Sequence, residues 1–142
     1  EDIKSKLHNS ARFQGQVLSI VGQDRCVYVV ADPFQMRMCI YNLLMVSARF
    51  ADQNEPIEIS AKNRNTLGEI CIRFRSESLN NNTVQYFQNL IEQKGKETDL
   101  KRSDELKISI SSKYAKKMNG DIELIKRDEL SYEFRIKLDT PA

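Results

Sequence analysis

The sequence predicts an α/β two-layer sandwich: a mixed, largely antiparallel sheet with its helices on one face. Three observations carry this. Short apolar runs alternate in-and-out and come in pairs around polar turns, the pattern of β-hairpins. Segments with helical spacing fall between these pairs, not between single strands, which favours antiparallel pairing with a segregated helix layer. The length of 142 residues, with 40% hydrophobic and 30% charged residues, suits a single domain around one core.

The elements follow in order. Residues 2–13 place Ile3, Leu7 and Ala11 on one stripe and are expected to form a short helix. Within the single domain assigned to 1–142, residues 1–15 are read as the end of an upstream helical region. Residues 16–21 (QVLSIV) and 26–30 (CVYVV) are β-branched runs around Gly22-Gln23-Asp24, a two-strand unit with a turn. Asp32-Pro33 marks a helix start. The Asp32 carboxylate can accept from first-turn amides, and Pro33 lacks an N–H that would go unpaired there anyway. Met36, Cys39, Ile40, Leu43, Leu44, Ser47 and Phe50 then recur at helical spacing, predicting a helix over 33–50 with that face buried.

Residues 57–61 (IEISA) and 69–74 (EICIRF) alternate around Asn63-Arg64-Asn65 and predict an antiparallel pair. Residues 76–83 read as loop and 84–92 as helix. The charged stretch 94–104, with Leu100 its one large apolar side chain, reads as a mobile surface loop. A helix over 108–118 ends at Asn119-Gly120, where a left-handed residue stops a helix. Strands over 121–126 and 132–138, with a turn near Arg127-Asp128, close the chain.

Charge and cysteine content narrow the function classes. Lys and Arg total 22 against 20 Asp and Glu, a net of +2, so no bulk attraction to nucleic acid or an anionic membrane is expected. No run reaches the ~18–20 apolar residues that span a bilayer, and no signal peptide opens the chain. A cytoplasmic location follows, with any membrane anchor elsewhere in a longer protein. The start, Glu1-Asp2-Ile3-Lys4, reads as a cut into such a protein. Cys26, Cys39 and Cys71 are odd in number and form no CxxC, and His8 is the only histidine. A structural zinc site is therefore ruled out, a disulfide scaffold is not expected, and the three thiols are expected to be buried and reduced.

Three motifs then line up with a known family. Ala31-Asp32-Pro33, Asn42-Leu43-Leu44 and Arg49-Phe50 resemble a GDP…NLLxNAxKF segment. Residues 106–122 (LKISISSKYAKKMNGDI) resemble the end of GxGLGLSISKxxxxxMGGxI, and 131–138 (SYEFRIKL) resemble GTxFxxxLP. From Gln16 onward the chain resembles the ATP-binding catalytic domain of sensor histidine kinases, a Bergerat-type ATPase fold. The resemblance implies upstream dimerisation helices and a response regulator or phosphotransfer protein as partner.

The nucleotide positions that the resemblance implies are Asn42, Val46, Ser76, Ser78, Asn80, Ser103, Glu105 and Lys107, and here the pattern breaks. Two amides one turn apart hold Mg²⁺ and phosphate in the family; here they are Asn42 and Val46, and valine offers no oxygen to a hard cation. Ser76 stands where an Asp accepts the adenine amino proton. Ser78 and Asn80 replace glycines of that loop. The phosphate-covering glycines become Ser103, Glu105 and Lys107, where backbone amides would otherwise turn to phosphate. A carboxylate at ~4 Å from a phosphate costs up to about 4 kcal/mol at an effective dielectric near 20, roughly three decades in affinity.

His8 lacks the flanking acid and proline of a phospho-acceptor motif, being followed by Asn9-Ser10-Ala11-Arg12, and reads as a solvent-facing residue. No catalytic residue and no metal ligand set is expected. Lys113, Lys116 and Lys117 read as a solvated helix face, with partner docking the minority reading. The expected function is a degenerate histidine-kinase ATPase-like domain, a binding or scaffolding module in two-component phosphorelay signalling with no cofactor. Two alternatives stand beside it. One is a divergent but active domain in which ATP and Mg²⁺ are held through Asn42, Ser76 and Lys107. The other is a sensory domain with a different small ligand in the vacated pocket.

Overall fold

A computed structural model describes residues 12–13, 16–20, 29–92 and 103–140. Its elements are β1 (Arg12–Phe13), β2 (Gln16–Ile20), α1 (Pro33–Phe50), β3 (Ile57–Arg64), β4 (Leu67–Arg75), α2 (Asn81–Glu92), α3 (Ser103–Lys117), β5 (Asp121–Lys126) and β6 (Ser131–Asp139). The strands form one sheet in the order β1-β2-β3-β4-β6-β5. Among the described residues, only β2 and β3 run parallel, and every other neighbouring pair is antiparallel. The sheet is thus mixed and largely antiparallel, as the hairpin pattern predicts.

Register places the core on one face. Ile59 lies opposite Ile72, and Ile72 opposite Phe134, so side chains two apart on each strand share that face. Ile57, Ile70, Phe74, Tyr132, Ile136 and Leu138 join them, all buried. The helices cover this layer. Leu43 and Leu44 of α1 and Ile108 of α3 are fully buried against it, each burial worth about 1.5–3 kcal/mol.

Helix α1 has the predicted bounds and the predicted start: the Gln35 amide donates to Asp32 Oδ1 at 2.9 Å, with Pro33 in the first turn. The 57–61 and 69–74 pair is longer than expected and turns through Asn65 at φ 57°. Asn119 is left-handed at φ 61°, and the Gly120 amide donates to the Ala115 carbonyl at 2.8 Å, which ends α3. The last turn is held by Asp128, whose Oδ1 accepts from the Leu130 and Ser131 amides at 3.1 and 3.0 Å.

Three expectations need correction. Arg12–Phe13 is a strand paired with β2, not the end of a helix. Helix α2 begins at Asn81 rather than 84, because Asn80 caps it: the Thr83 amide donates to Asn80 Oδ1 at 2.8 Å. Helix α3 begins at Ser103 rather than 108, so the last two residues of the expected loop over 94–104 are helical. Two acids in its first turn, Asp104 and Glu105, favour the positive end of the helix dipole. The rest of that loop, most of the expected 26–30 strand and the helical stretch before Arg12 lie outside the described residues. Val29 and Val30 belong to no strand, although the Val30 amide donates to the Asp139 carbonyl at 2.8 Å.

The opposite face of the sheet carries charge. Glu133 and Glu69 are 0% and 1% exposed there, beneath cations from neighbouring strands. Arg73 and Arg127 reach Glu133 Oε1 at 2.7 and 2.9 Å, and Arg135 reaches Oε2 at 2.8 Å. Burial pushes the Glu133 carboxyl up, but hydrogen bonds from Arg73 and Arg135 prevail and hold it at about 2. Cys71 on the same face and Cys39 on α1 are free and buried; burial raises both thiols, Cys39 to about 12. Cys26 lies outside the described residues.

Candidate functional site

Asn42, Val46 and Arg49 share one face of α1 by their spacing of four and three. That face meets α3, which packs antiparallel to α1. Three contacts fix the register: the Phe34 and Tyr114 rings are edge-on at 6.4 Å, Cys39 Sγ donates to the Ser111 carbonyl at 3.3 Å, and Arg49 Nε lies 2.7 Å from Asp104 Oδ2. The first turn of α3 therefore lies against the last turns of α1. Asn42 is buried, and Val46 is fully so.

The second part of the site is the loop from β4 to α2. Ser76 is fully buried, and its amide donates to the Leu130 carbonyl at 2.8 Å. Its hydroxyl accepts from the Leu79 amide at 3.0 Å and lies 3.2 Å from Ser78 Oγ. The Tyr132 hydroxyl donates to the Leu79 carbonyl at 3.1 Å and pins the loop to β6. Asp52 adds a brace from the far side, its Oδ1 accepting from the Glu77 amide at 2.8 Å. Thus Ser76 ties the loop to itself, Ser78 is exposed, and Asn80 serves as the α2 cap.

In the third part, Ser103, Glu105 and Lys107 all lie in the first turns of α3. The Lys107 ammonium donates to Ser103 Oγ, one turn back. Glu105 is buried, with Oε2 lacking a hydrogen-bond partner among the described residues. It shares a side of α3 with Ser112, seven residues on, whose hydroxyl donates to the Ile91 carbonyl of α2 at 2.7 Å. Glu105 is therefore turned toward α2, about 100° around the helix from Asp104.

The carboxylate that meets the α1 stripe is Asp104, a residue that glycine-position reasoning passes over. The signal that could have found it is a pair of acids four and three residues ahead of the first periodic apolar residue, Ile108, a helix-start pattern. No hydrogen bond or ion pair joins Asn42 to Ser76 or Lys107 among the described residues. No cluster of three or more His, Cys, Asp or Glu suited to a metal occurs there either.

The same fold occurs in solved histidine kinases. The chain superposes on the catalytic domain of histidine kinase ThkA, in a nucleotide-free form, with a TM-score of 0.74 at 14% identity, over 98% of this chain and 90% of that one. The mycobacterial sensor histidine kinase MprB gives 0.66 at 14% identity, over 87% and 80%. Full-length ShkA, solved in complex with AMPPNP, gives 0.67 at 14% identity, covering 99% of this chain but 29% of that one. No family model and no curated protein matches the sequence. The fold is the Bergerat-type α/β sandwich. Within that class, the chain shares its fold with the catalytic domains of sensor histidine kinases.

Proposed function

We propose that this domain is a degenerate member of the histidine-kinase ATPase fold, a binding or scaffolding module of two-component phosphorelay signalling that does not take up ATP. The observation that carries the reading is the ion pair between Arg49 and Asp104 at 2.7 Å. It closes α1 onto a regular first turn of α3, where a phosphate-cradling loop of free amides would be needed. Those amides are the ones a helix leaves unpaired, but here they are crowded by Asp104 and Glu105, both buried acids.

The remaining positions support the same reading. Val46 offers no oxygen to Mg²⁺. The Ser76 hydroxyl is already engaged by Leu79 and Ser78. The residues present do not fit Mg·ATP. Partners of such a module are proteins: a response regulator or phosphotransfer protein, together with dimerisation helices upstream of this domain.

The test is thermal unfolding of the domain with and without Mg·ATP. A site with a Kd of ~10 μM would gain about 2.7 kcal/mol at ~1 mM ligand, several degrees in Tm for a domain of this size. No shift is expected. A shift of that size that disappears in Asn42→Ala would overturn the reading.

A further inference from the structure

The outer surface of the α1–α3 pair is apolar where two packed helices of a small domain are usually polar. Phe34 is 61%, Tyr41 48%, Leu106 45% and Ile110 40% exposed. Met38, Met45 and Tyr114 are half-buried between them. Their positions follow from the helical repeat. On α1, Phe34, Met38, Tyr41 and Met45 recur at spacings of four, three and four; on α3, Leu106, Ile110 and Tyr114 recur every four. In the antiparallel register set by Phe34–Tyr114 and Arg49–Asp104, these two rows run side by side. The half-buried side chains lie toward the junction and the exposed ones to either side. The strip is about three helical turns long, or roughly 16 Å.

Among the described residues, the exposed charges that α1 and α3 carry beside the strip are cationic, and the Asp32 cap next to Phe34 is an exposed acid. Arg37, Lys113 and Lys117 are exposed beside it. Helix α1 contains no acid at all, and both acids of α3, Asp104 and Glu105, are buried. A contiguous apolar strip with a mainly cationic rim is the form of a recognition surface rather than of ordinary solvated helices. Methionines and aromatics suit such a surface because they adapt to the side chains laid on them.

We infer that the α1–α3 strip docks an amphipathic helix of a partner protein, with leucine-like anchors along one face and acidic residues flanking them. The two parallel rows favour a third helix in the trough between them, with anchors at i, i+3, i+4 and i+7. The cationic rim then selects acidic over basic partners and hastens encounter. The apolar residues of the strip are not themselves among the nucleotide positions, although Leu106 lies between two of them, Glu105 and Lys107.

The test is an NMR titration of the domain with a designed helical peptide of about 18 residues, carrying Leu at those spacings and Glu on both flanks. The control peptide has Lys in place of Glu. Perturbed amides on α1 and α3, binding at least 10-fold tighter than the Lys peptide, and weakening with salt are the expected results. The double variant Leu106→Glu, Ile110→Glu changes only exposed residues and should abolish the effect with the spectrum of the sheet unchanged. Absence of binding, equal binding of both peptides, or binding unaffected by the double variant overturns the inference. So does a strip occupied instead by a second copy, seen as concentration-dependent dimerisation lost in the double variant, or by vesicles containing phosphatidylglycerol in preference to the acidic peptide.

Discussion

Arg49, in the last turn of α1, holds Asp104, in the first turn of α3, with Nε 2.7 Å from the carboxylate. Their side chains are unequally buried, 64% exposed for the arginine and 12% for the acid. The cost of breaking the pair therefore falls on the side that keeps the buried charge. Arg49→Ala should destabilise the domain more than Asp104→Ala in urea unfolding. The double-mutant cycle should return a coupling of about 0.5–1 kcal/mol, limited by solvent screening at the arginine. A coupling of zero would remove this pair from the account of how α1 and α3 close.

Glu133 sets an acid limit on stability. Its carboxyl is held at about 2, against an ordinary 4.5. Because the folded value is the lower one, the unfolded chain binds the proton more readily, and the stabilisation is complete above about 4.5. It is lost as pH falls toward 2. Glu133→Gln should flatten that part of the stability profile. At neutral pH the same change leaves Arg73, Arg127 and Arg135 without their shared acceptor, a loss of about 3 kcal/mol. An unchanged acid limb in the variant would mean that other groups control it.

Gly120 tests how closely the turn from α3 to β5 approaches β6. A Cβ built there would lie 2.3 Å from the Lys137 carbonyl oxygen and 2.6 Å from Leu138 Cδ2. The backbone oxygen cannot give way cheaply, so Gly120→Ala should cost about 2–3 kcal/mol. Asn119→Gly, at φ 61°, should change stability by only a few tenths of a kcal/mol. Equal effects would place the strain elsewhere.

Thiol labelling separates buried from exposed cysteines. Cys39 and Cys71 are buried and their thiols are pushed up, so neither should react with a thiol reagent in the native domain, and both should react after unfolding. Mass mapping of labelled peptides reads each site separately. Fast native labelling of Cys39 would contradict its position between α1 and α3.

Most of the fold was legible because its signals are local. Asp32-Pro33 caps α1 from sequence alone, and the alternation in 57–61, 69–74, 121–126 and 132–138 puts the right residues on the core face. Two of the three errors share a cause: polar residues that serve structure were read as solvent-facing. Asn80 looked like loop and is a cap, while Asp104 and Glu105 looked like loop and form the first turn of a helix. Arg12–Phe13 was read as helical from the spacing of Ile3, Leu7 and Ala11, yet its strand depends on pairing with β2. The ion network around Glu133 needed the register of β4 against β6, which puts Arg73 directly across from it. At the candidate site the motif positions were legible, but the choice between Asp104 and Glu105 required the phase of α3.

The claim that matters most is that this fold no longer holds nucleotide. Isothermal titration of the domain with Mg·ATP decides it, alongside the triple variant Val46→Asn, Ser76→Asp, Glu105→Gly. Loss of two hydrogen bonds to charged groups, at about 1.5–3 kcal/mol each, removes some two to four decades in affinity. The account predicts no saturable heat for the natural sequence up to about 1 mM, with weak binding beginning to return only when all three changes are combined. Saturable binding by the natural sequence at ~100 μM ATP, lost in Asn42→Ala, would contradict it.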